Sequence, residues 1–175
     1  MSDAVPVTLR LVRWTVSSGS NVNSRAAVVL RAAHLDWQAS ADGNGAVDAL
    51  VRTVNLAVAD VLGGTPALLA YDVHALAEGP DAEGRVTVQI APPADAPGDR
   101  AGGRHTGEVA STNIIAASLE AYIAALNAML AEEAWAGAAD EAATRRGGAP
   151  AEDEDQGGAE YLHGRTIDTT SWFNR

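Results

Sequence analysis

The sequence of 175 residues predicts an α+β fold made of two duplicated β-β-β-α units, in which a helix covers each antiparallel sheet, followed by a disordered acidic C-terminal tail. Two observations predict this fold. Apolar residues alternate at period two in three segments and then recur at helical spacing, and this order occurs twice. Similar junctions, ADGNGAVDA and EVASTNIIA, precede the two helical segments. We therefore divide the folded part, 5–137, into unit one (5–64) and unit two (65–137).

In unit one, the pattern predicts strands at 5–17, 25–31 and 35–41. The alternation in the first strand slips between Leu11 and Val12, which indicates a β-bulge. Apolar spacing then predicts a helix of roughly 17 residues, which begins after the loop Gly43-Asn44-Gly45. Gly63-Gly64 ends this helix, because glycine readily adopts the left-handed conformation of a C-cap.

Unit two repeats this order. Strands are predicted at 68–76, 85–90 and 104–109. Ser111-Thr112-Asn113 offers N-cap side chains for the helix that follows, and its apolar stripe extends the predicted helix as far as Gly137. A unit of this kind leaves much of its sheet uncovered, so we expect the two units, and a second copy of the chain, to share a core.

The last part of the chain differs from both units. Residues 138–158 are rich in Gly and acidic residues and predict a disordered linker. Residues 159–175 regain aromatic and aliphatic side chains and form a distinct C-terminal segment. This segment is typical of a sequence that docks on a partner enzyme or is itself recognised, and the alternative is a plain flexible tail.

Composition excludes several classes of function. The chain carries 23 acidic and 12 basic residues, a net charge of −11, which disfavours nucleic acid and anionic membranes as partners. Cysteine is absent, which excludes disulfides and thiolate metal sites. Neither a signal peptide nor an apolar run of about 18 residues is present. We therefore predict a cytoplasmic protein.

The two junctions carry a family resemblance. GNGAVDA at 43–49 and STNIIAAS at 111–118 resemble the paired signatures of the C-terminal regulatory (allosteric, dimerisation) domain of 2-isopropylmalate synthase and its citramalate and homocitrate synthase relatives. WTVSSGSNVNSRAAVVLR, LLAYDVHALAEGPDAEGRVTVQI and EAYIAALNAML are similar to other parts of that domain. The family usually has Pro where Ala46 stands, and Pro is only favoured at a first helical position.

The resemblance implies a regulatory rather than a catalytic function. The synthases carry a catalytic barrel before this domain, and the sequence contains neither such a barrel nor an H-x-H metal-binding pair. We predict a leucine-binding and dimerising module that regulates or scaffolds a partner enzyme, with no cofactor, metal or catalytic residue. An alternative is that its pocket was recruited as a small biosynthetic enzyme, for which the sequence names no acid or base.

The resemblance places an amino-acid ligand between the units at a dimer interface. A ligand carboxylate suits the amide groups at a helix N-terminus, and glycine permits close approach. The predicted ligand-binding residues are Gly43, Asn44, Gly45, Ser111, Thr112 and Asn113 in the two loops, with Leu68, Tyr71 and Val73 as the apolar slot. The alternative is that the glycines serve turns and the apolar residues serve the core.

Other polar residues allow two interpretations. Asp42 and Asp48 are candidates for pairing with a ligand ammonium group, although such residues more often cap turns and helices. His34, His74 and His105 are widely separated, so we predict no metal site. Trp14 and Trp37 are expected in the core or in the dimer interface.

The C-terminal segment allows an alternative function. Gly157-Gly158 resembles the leader–core junction of ribosomally made, modified peptides. Residues 1–158 would then be a folded leader and 159–175 the core. The candidate modified residues are Thr166, Asp168, Thr169, Thr170, Ser171 and Trp172.

Overall fold

The computed structural model describes residues 8–32 and 34–147. The predicted α+β class is confirmed: two three-stranded antiparallel sheets are each followed by helices. Sheet one has the order β1-β2-β3, and sheet two has the order β4-β5-β6. The elements of unit one are β1 (Arg10–Gly19), β2 (Val22–Ala32), β3 (Leu35–Gly43), α1 (Ala46–Ala57) and α2 (Ala59–Leu62). The elements of unit two are β4 (Ala67–Ala75), β5 (Gly84–Ala91), β6 (His105–Ser111) and α3 (Ile114–Leu130).

The β-bulge predicted in β1 is present, and it recurs at the same place in unit two. Leu11 lies opposite Leu30 and Arg13 opposite Val29, so Val12 is the extra residue. In sheet two, Leu68 lies opposite Ile90 and Ala70 opposite Gln89, so Leu69 is extra. Both bulges fall in the first strand, opposite equivalent residue pairs of the central strand, Val29–Leu30 and Gln89–Ile90. This shared irregularity supports an internal duplication, since bulges are specific features rather than random defects.

Helices cover one face of each sheet. Helix α1 packs on β2 and β3, α3 packs on β5 and β6, and the two helices contact each other between the units. Asn113 caps α3 as predicted, because its side chain accepts a hydrogen bond from the Ala116 amide. Gly63 ends α2 in the left-handed conformation, also as predicted. The largest fully buried side chains are Leu9, Leu30, Trp37, Leu50, Leu62, Ile90, Leu119, Tyr122, Leu126, Met129, Leu130 and Trp135.

Two helix predictions are wrong in extent. The single helix predicted in unit one breaks at Val58, whose φ of −105° and ψ of 18° are not helical. The break redirects the last turn so that Val61 and Leu62 are buried. Helix α3 ends at Leu130 rather than Gly137, because Glu132 is extended and turns the chain so that Trp135 is buried.

The disordered linker predicted from residue 138 is wrong for its first ten residues. Residues Ala138–Gly147 form helix α4. Asp140 and Glu141 lie in its first turn and Arg145 and Arg146 in its last, which is the arrangement that the helix dipole favours. Helix α4 buries alanines and packs against α2 of unit one. We call residues 131–147 the C-terminal strap. The remainder of the predicted linker lies outside the described residues.

Candidate functional site

The first strand of unit two presents an uncovered apolar surface. Leu68 is 50% exposed, Tyr71 39% and Val73 42%. We call these three residues the β4 face. They point to the same side of sheet two as Ile90, Val88 and Val86, the residues opposite them on β5, which are fully buried. The sequence therefore placed these residues correctly on an apolar row, but they do not belong to the core.

The β4 face is exposed because α3 packs mainly on β5 and β6 of sheet two. The equivalent residues of β1 are Leu11, Trp14 and Val16, and all three are partly buried against the core. Exposed apolar residues that lie side by side on a sheet edge mark a surface that another molecule covers. The β4 face is thus the candidate binding surface of the described chain.

Tyr71 links this surface to helix α3. Its hydroxyl lies 2.7 Å from the Oγ of Ser118, which is buried. The Ser118 hydroxyl donates to the carbonyl of Ile114 at 2.6 Å. Because a serine hydroxyl has one hydrogen, Tyr71 is the donor to Ser118. Ile114 lies against Gly84, where an added Cβ would meet its Cδ1 atom.

The loop 111–113 begins α3 and uses its own polar groups. The Ser111 Oγ accepts from the Asn113 amide at 3.1 Å, and the Asn113 Oδ1 accepts from the Ala116 amide at 3.1 Å. Thr112 is exposed between them. Ser111 lies opposite Gly84, which lies opposite Ala75 at the end of β4. The loop and Val73 therefore occupy the same end of sheet two, and Leu68 lies at the other end.

The loop 43–45 begins α1 and already holds a carboxylate. Asp48 Oδ2 accepts a hydrogen bond from the Asn44 amide at 2.9 Å, and Arg52 pairs with the same side chain at 3.0 Å. The Asn44 amide, and then Arg52, hold the pKa of Asp48 below its ordinary value. Gly43 is required by packing, since an added Cβ would lie 2.4 Å from the Ala49 amide nitrogen. Gly45 faces open space.

The structure therefore separates the predicted ligand residues into two groups. Tyr71, Val73 and the loop 111–113 belong to sheet two and its helix, whereas the loop 43–45 belongs to sheet one. The aspartates are held by arginines: Asp42 pairs with Arg25 across sheet one, and this contact lowers the pKa of Asp42. Whether a ligand ammonium group binds either aspartate stays a prediction.

The remaining candidates are spread over the chain. His34 lies in the β2–β3 turn with a φ of 65°, His74 is exposed on β4, and His105 is buried at the start of β6. Within residues 8–32 and 34–147, no three His, Asp or Glu side chains gather where they could hold a metal ion. Trp37 is buried, and its indole donates to the Ala32 carbonyl. The candidate modified residues of the C-terminal segment lie outside the described residues.

Sequence reasoning missed the strap and its contacts. Trp135 is buried, Arg100 stacks on its ring, and Arg146 lies 4.1 Å from the ring centroid of Trp37. The sequence does contain a signal for helix α4, because acidic residues precede basic residues in the order that a helix dipole favours. In the described part of the chain, no single helix is long and apolar enough to cross a membrane; only α3 and residues Glu133–Gly147 taken together, bent by 93°, have that length and composition.

The model of the LeuA allosteric (dimerisation) domain matches residues 3–130 of the chain. The chain belongs to this domain family. It is 36% identical over 118 residues to 2-isopropylmalate synthase of Dechloromonas aromatica, a match that covers 67% of this chain and 21% of that protein. It is 36% identical over 124 residues to the synthase of Methylobacterium nodulans, covering 70% of this chain and 21% of the relative. It is 32% identical over 126 residues to the 2-isopropylmalate synthase of Carboxydothermus hydrogenoformans, a match that covers 72% of this chain and 23% of that protein.

Membership of the LeuA allosteric domain family fits the duplicated fold. The matched region contains every strand, α1, α2 and α3, and stops where the strap begins. The chain spans about a fifth of the length of these curated relatives. The match therefore concerns their regulatory domain.

Proposed function

We propose that this chain is a regulatory module that binds a leucine-like amino acid and a second copy of itself through the β4 face. The observation that carries the proposal is the exposure of Leu68, Tyr71 and Val73 opposite a fully buried row. Fully burying a Leu or Val side chain contributes about 1.5–3 kcal/mol. Burial of the β4 face can therefore stabilise the binding of either a ligand side chain or a partner strand.

The two helix-start loops supply the polar half of the proposed ligand site. We propose that the ligand carboxylate binds near Ser111, Thr112 and Asn113, beside the Val73 end of β4. The loop 43–45 of unit one holds the Asp48 carboxylate on the Asn44 amide. This negative group suits the ligand ammonium better than a second carboxylate. A ligand at the interface would regulate by binding one dimer arrangement more tightly than another.

A thermal-shift series tests ligand binding. A ligand present at 100 times its dissociation constant adds about 2.7 kcal/mol to folding stability. For a domain of this size the expected rise in melting temperature with L-leucine is on the order of 10 °C. D-leucine and L-glutamate serve as controls for stereochemistry and side-chain polarity. Absence of any shift with leucine, valine, isoleucine or their oxo acids would contradict the ligand proposal.

A charge substitution tests the dimer. Leu68→Glu places a carboxylate on the β4 face, whereas Val22→Glu places one on an exposed valine at the start of β2 in sheet one. We expect analytical ultracentrifugation to show a dimer for the wild type and Val22→Glu and a monomer for Leu68→Glu. A dimer that survives Leu68→Glu would place the interface elsewhere.

We further propose that the ligand state of the module acts on a synthase active site, because the relatives carrying this domain are named 2-isopropylmalate synthases. The test mixes the purified chain with the 2-isopropylmalate synthase of its source organism. Synthase activity is then measured with and without L-leucine. A change in leucine sensitivity that Leu68→Glu abolishes would support the proposal, and unchanged sensitivity would contradict it.

A further inference from the structure

One face of helix α3 contacts both the β4 face and unit one. Tyr71 of β4 donates a hydrogen bond to Ser118, as described above. Four residues later on α3, Tyr122 donates a hydrogen bond to the Oδ1 atom of Asn55 on α1 at 2.5 Å. Residues at positions i and i+4 lie on the same side of a helix. The two hydrogen bonds therefore leave α3 from one side, toward two different parts of the molecule.

The two anchoring residues on α3 are deeply buried. Ser118 is 2% exposed and Tyr122 is 1% exposed. Burial raises the pKa of Tyr122 to about 12, and the bond to Asn55 opposes this rise only in part. The Tyr122 phenol consequently stays protonated at neutral pH and remains a donor to Asn55. Because Ser118 and Tyr122 are buried, losing either hydrogen bond leaves a buried polar atom short of a partner, which costs free energy.

Unit one has no counterpart of this polar line. By strand register, Trp14 of β1 occupies the place of Tyr71, since each lies opposite the matching valine, Val28 or Val88. Each helix begins three residues after the end of its third strand, so Leu50 corresponds to Ser118. A leucine side chain accepts no hydrogen bond. Only unit two therefore joins its first strand to its helix through a polar contact.

We infer that Tyr71, Ser118, Tyr122 and Asn55 form a coupling path that carries a change at the β4 face to the contact between the two units. Tyr71 lies on the proposed ligand and dimer surface, so this inference rests on the proposed function. An occupant of the β4 face that moves the Tyr71 ring must stretch or break its bond to Ser118. Because α3 is a single packed helix, a shift at Ser118 reaches Tyr122 one turn away. In this scheme Tyr71 and Tyr122 are positioning residues.

The first experiment needs no ligand. Amide hydrogen exchange of α1 is measured in the full chain for the wild type, Tyr71→Phe and Thr87→Val. Thr87→Val is the matched control, because it removes a hydrogen bond to Glu108 on the opposite face of sheet two. We expect Tyr71→Phe to speed exchange near Asn55 on the order of 3- to 10-fold, although Tyr71 lies in the other unit. Equal acceleration in Thr87→Val, or none in Tyr71→Phe, would overturn the inference.

A double variant sharpens this test. Tyr71→Phe and Tyr122→Phe interrupt the same path at different points, so their combination should speed α1 exchange no more than Tyr122→Phe alone. Multiplicative acceleration would mean that the two tyrosines act independently, which overturns the inference. Both variants keep the aromatic ring, so the core is expected to remain packed.

Adding L-leucine separates this inference from the proposed function. We expect leucine to slow exchange in both β4 and α1 of the wild type, and only in β4 of Tyr122→Phe, which leaves the β4 face intact. If leucine binds and slows α1 equally in both proteins, the coupling path is wrong while the ligand proposal stands. If leucine changes nothing in the wild type, the ligand proposal fails, and the ligand-free comparison still decides the coupling path.

Discussion

The two units share topology, register and bulge, yet their first strands have different environments. Strand β1 is tied to the far helix: the side chain of Asn127 on α3 accepts from the Leu9 amide at 2.7 Å and donates to the Leu9 carbonyl at 3.0 Å. Strand β4 pairs with β5 along one edge, and all its residues except Ala70 are exposed. A duplicated fold thus provides two similar edges, of which the rest of the chain secures one and leaves the other open.

The strap contacts equivalent positions at the ends of the two sheets. Trp37 on β3 and His105 on β6 are equivalent, since they lie opposite Leu30 and Ile90. The strap closes over Trp37 through Arg146, which also pairs with Asp60 at 3.0 Å. The strap also reaches the equivalent position of sheet two, because Glu132 Oε1 lies 3.8 Å from Nδ1 of the buried His105. The first strands, rather than these ends, therefore distinguish the two units.

The substitution expected to show the largest difference between the two units is at Gly107. An added Cβ there would lie 2.0 Å from the Ala121 carbonyl oxygen and 2.5 Å from the Ala125 amide nitrogen. Unit one has Ala39 at the equivalent position, so its helix lies farther from its sheet. We expect Gly107→Ala to lower the free energy of unfolding by about 3 kcal/mol or more, measured by urea denaturation.

Gly102→Ala is the control for this substitution, because nothing lies near its added Cβ. It should change stability by less than about 0.5 kcal/mol. If Gly107→Ala yields no folded protein, Ala39→Gly still tests the comparison, with an expected loss of about 0.5–1 kcal/mol. A tolerated Gly107→Ala would show that α3 can move away from sheet two at little cost.

Removing the contact between Asn127 and Leu9 should leave the edge at β1 as open as the edge at β4. We expect Asn127→Ala to lower the free energy of unfolding by about 2 kcal/mol, since both of its hydrogen bonds to Leu9 are lost. Hydrogen exchange should accelerate in β1 and stay unchanged in β4. Asn127→Asp keeps the acceptor for the Leu9 amide and should recover part of the loss. An increase in β4 exchange as large as that in β1 would refute this interpretation.

Loosening the strap should have a smaller effect. Arg146→Ala removes the cation–π contact with Trp37 and the ion pair with Asp60, which together contribute about 1 kcal/mol at this exposure. The expected fall in melting temperature is about 2–5 °C, with faster proteolysis within 138–147. Arg85→Ala removes a surface ion pair with Glu108 in unit two and is the control. An equal fall in both variants would argue against a specific strap contact.

The smallest expected effect concerns acid stability of the unit one loop. The pKa of Asp48 is held low in the folded state by the Asn44 amide and Arg52. A carboxylate with a lowered folded-state pKa stabilises the fold above its unfolded value of about 3.9, and this stabilisation is lost as the pH falls through the folded-state pKa. We expect Asp48→Asn to melt slightly lower than wild type at pH 7, and the difference to disappear once the pH has fallen through the folded-state pKa of Asp48.

The control for the acid series is Asp72→Asn, at an exposed aspartate of β4. Its melting temperature should follow that of the wild type across the series. Because the Asp48 side chain is 40% exposed, solvent screening keeps the expected difference at pH 7 under about 2 °C. A difference that does not shrink as the pH falls would mean that the loop depends on something other than the carboxylate charge.

Local patterns predicted the class, the strand order and the bulge at Val12, because period-two alternation and turn residues report backbone geometry directly. They also identified Asn113 and Gly63 as helix caps. They could not show that Leu68, Tyr71 and Val73 are uncovered, because the alternation of apolar residues along a strand is the same whether or not a helix covers that strand. The contacts of Asn127 with Leu9 and of Arg146 with Trp37 join residues about a hundred positions apart, beyond the reach of any periodicity.

The strap also has a consequence for how the protein is made. Unit one emerges from the ribosome first, then unit two, and only afterwards residues 138–147, which pack against unit one. Nascent unit one can form its sheet early, but the surface around Trp37 and α2 stays open until helix α4 emerges. Chaperones therefore have a longer period in which to hold unit one, and a ribosome that stalls before Arg146 leaves the first-made part of the protein unfinished.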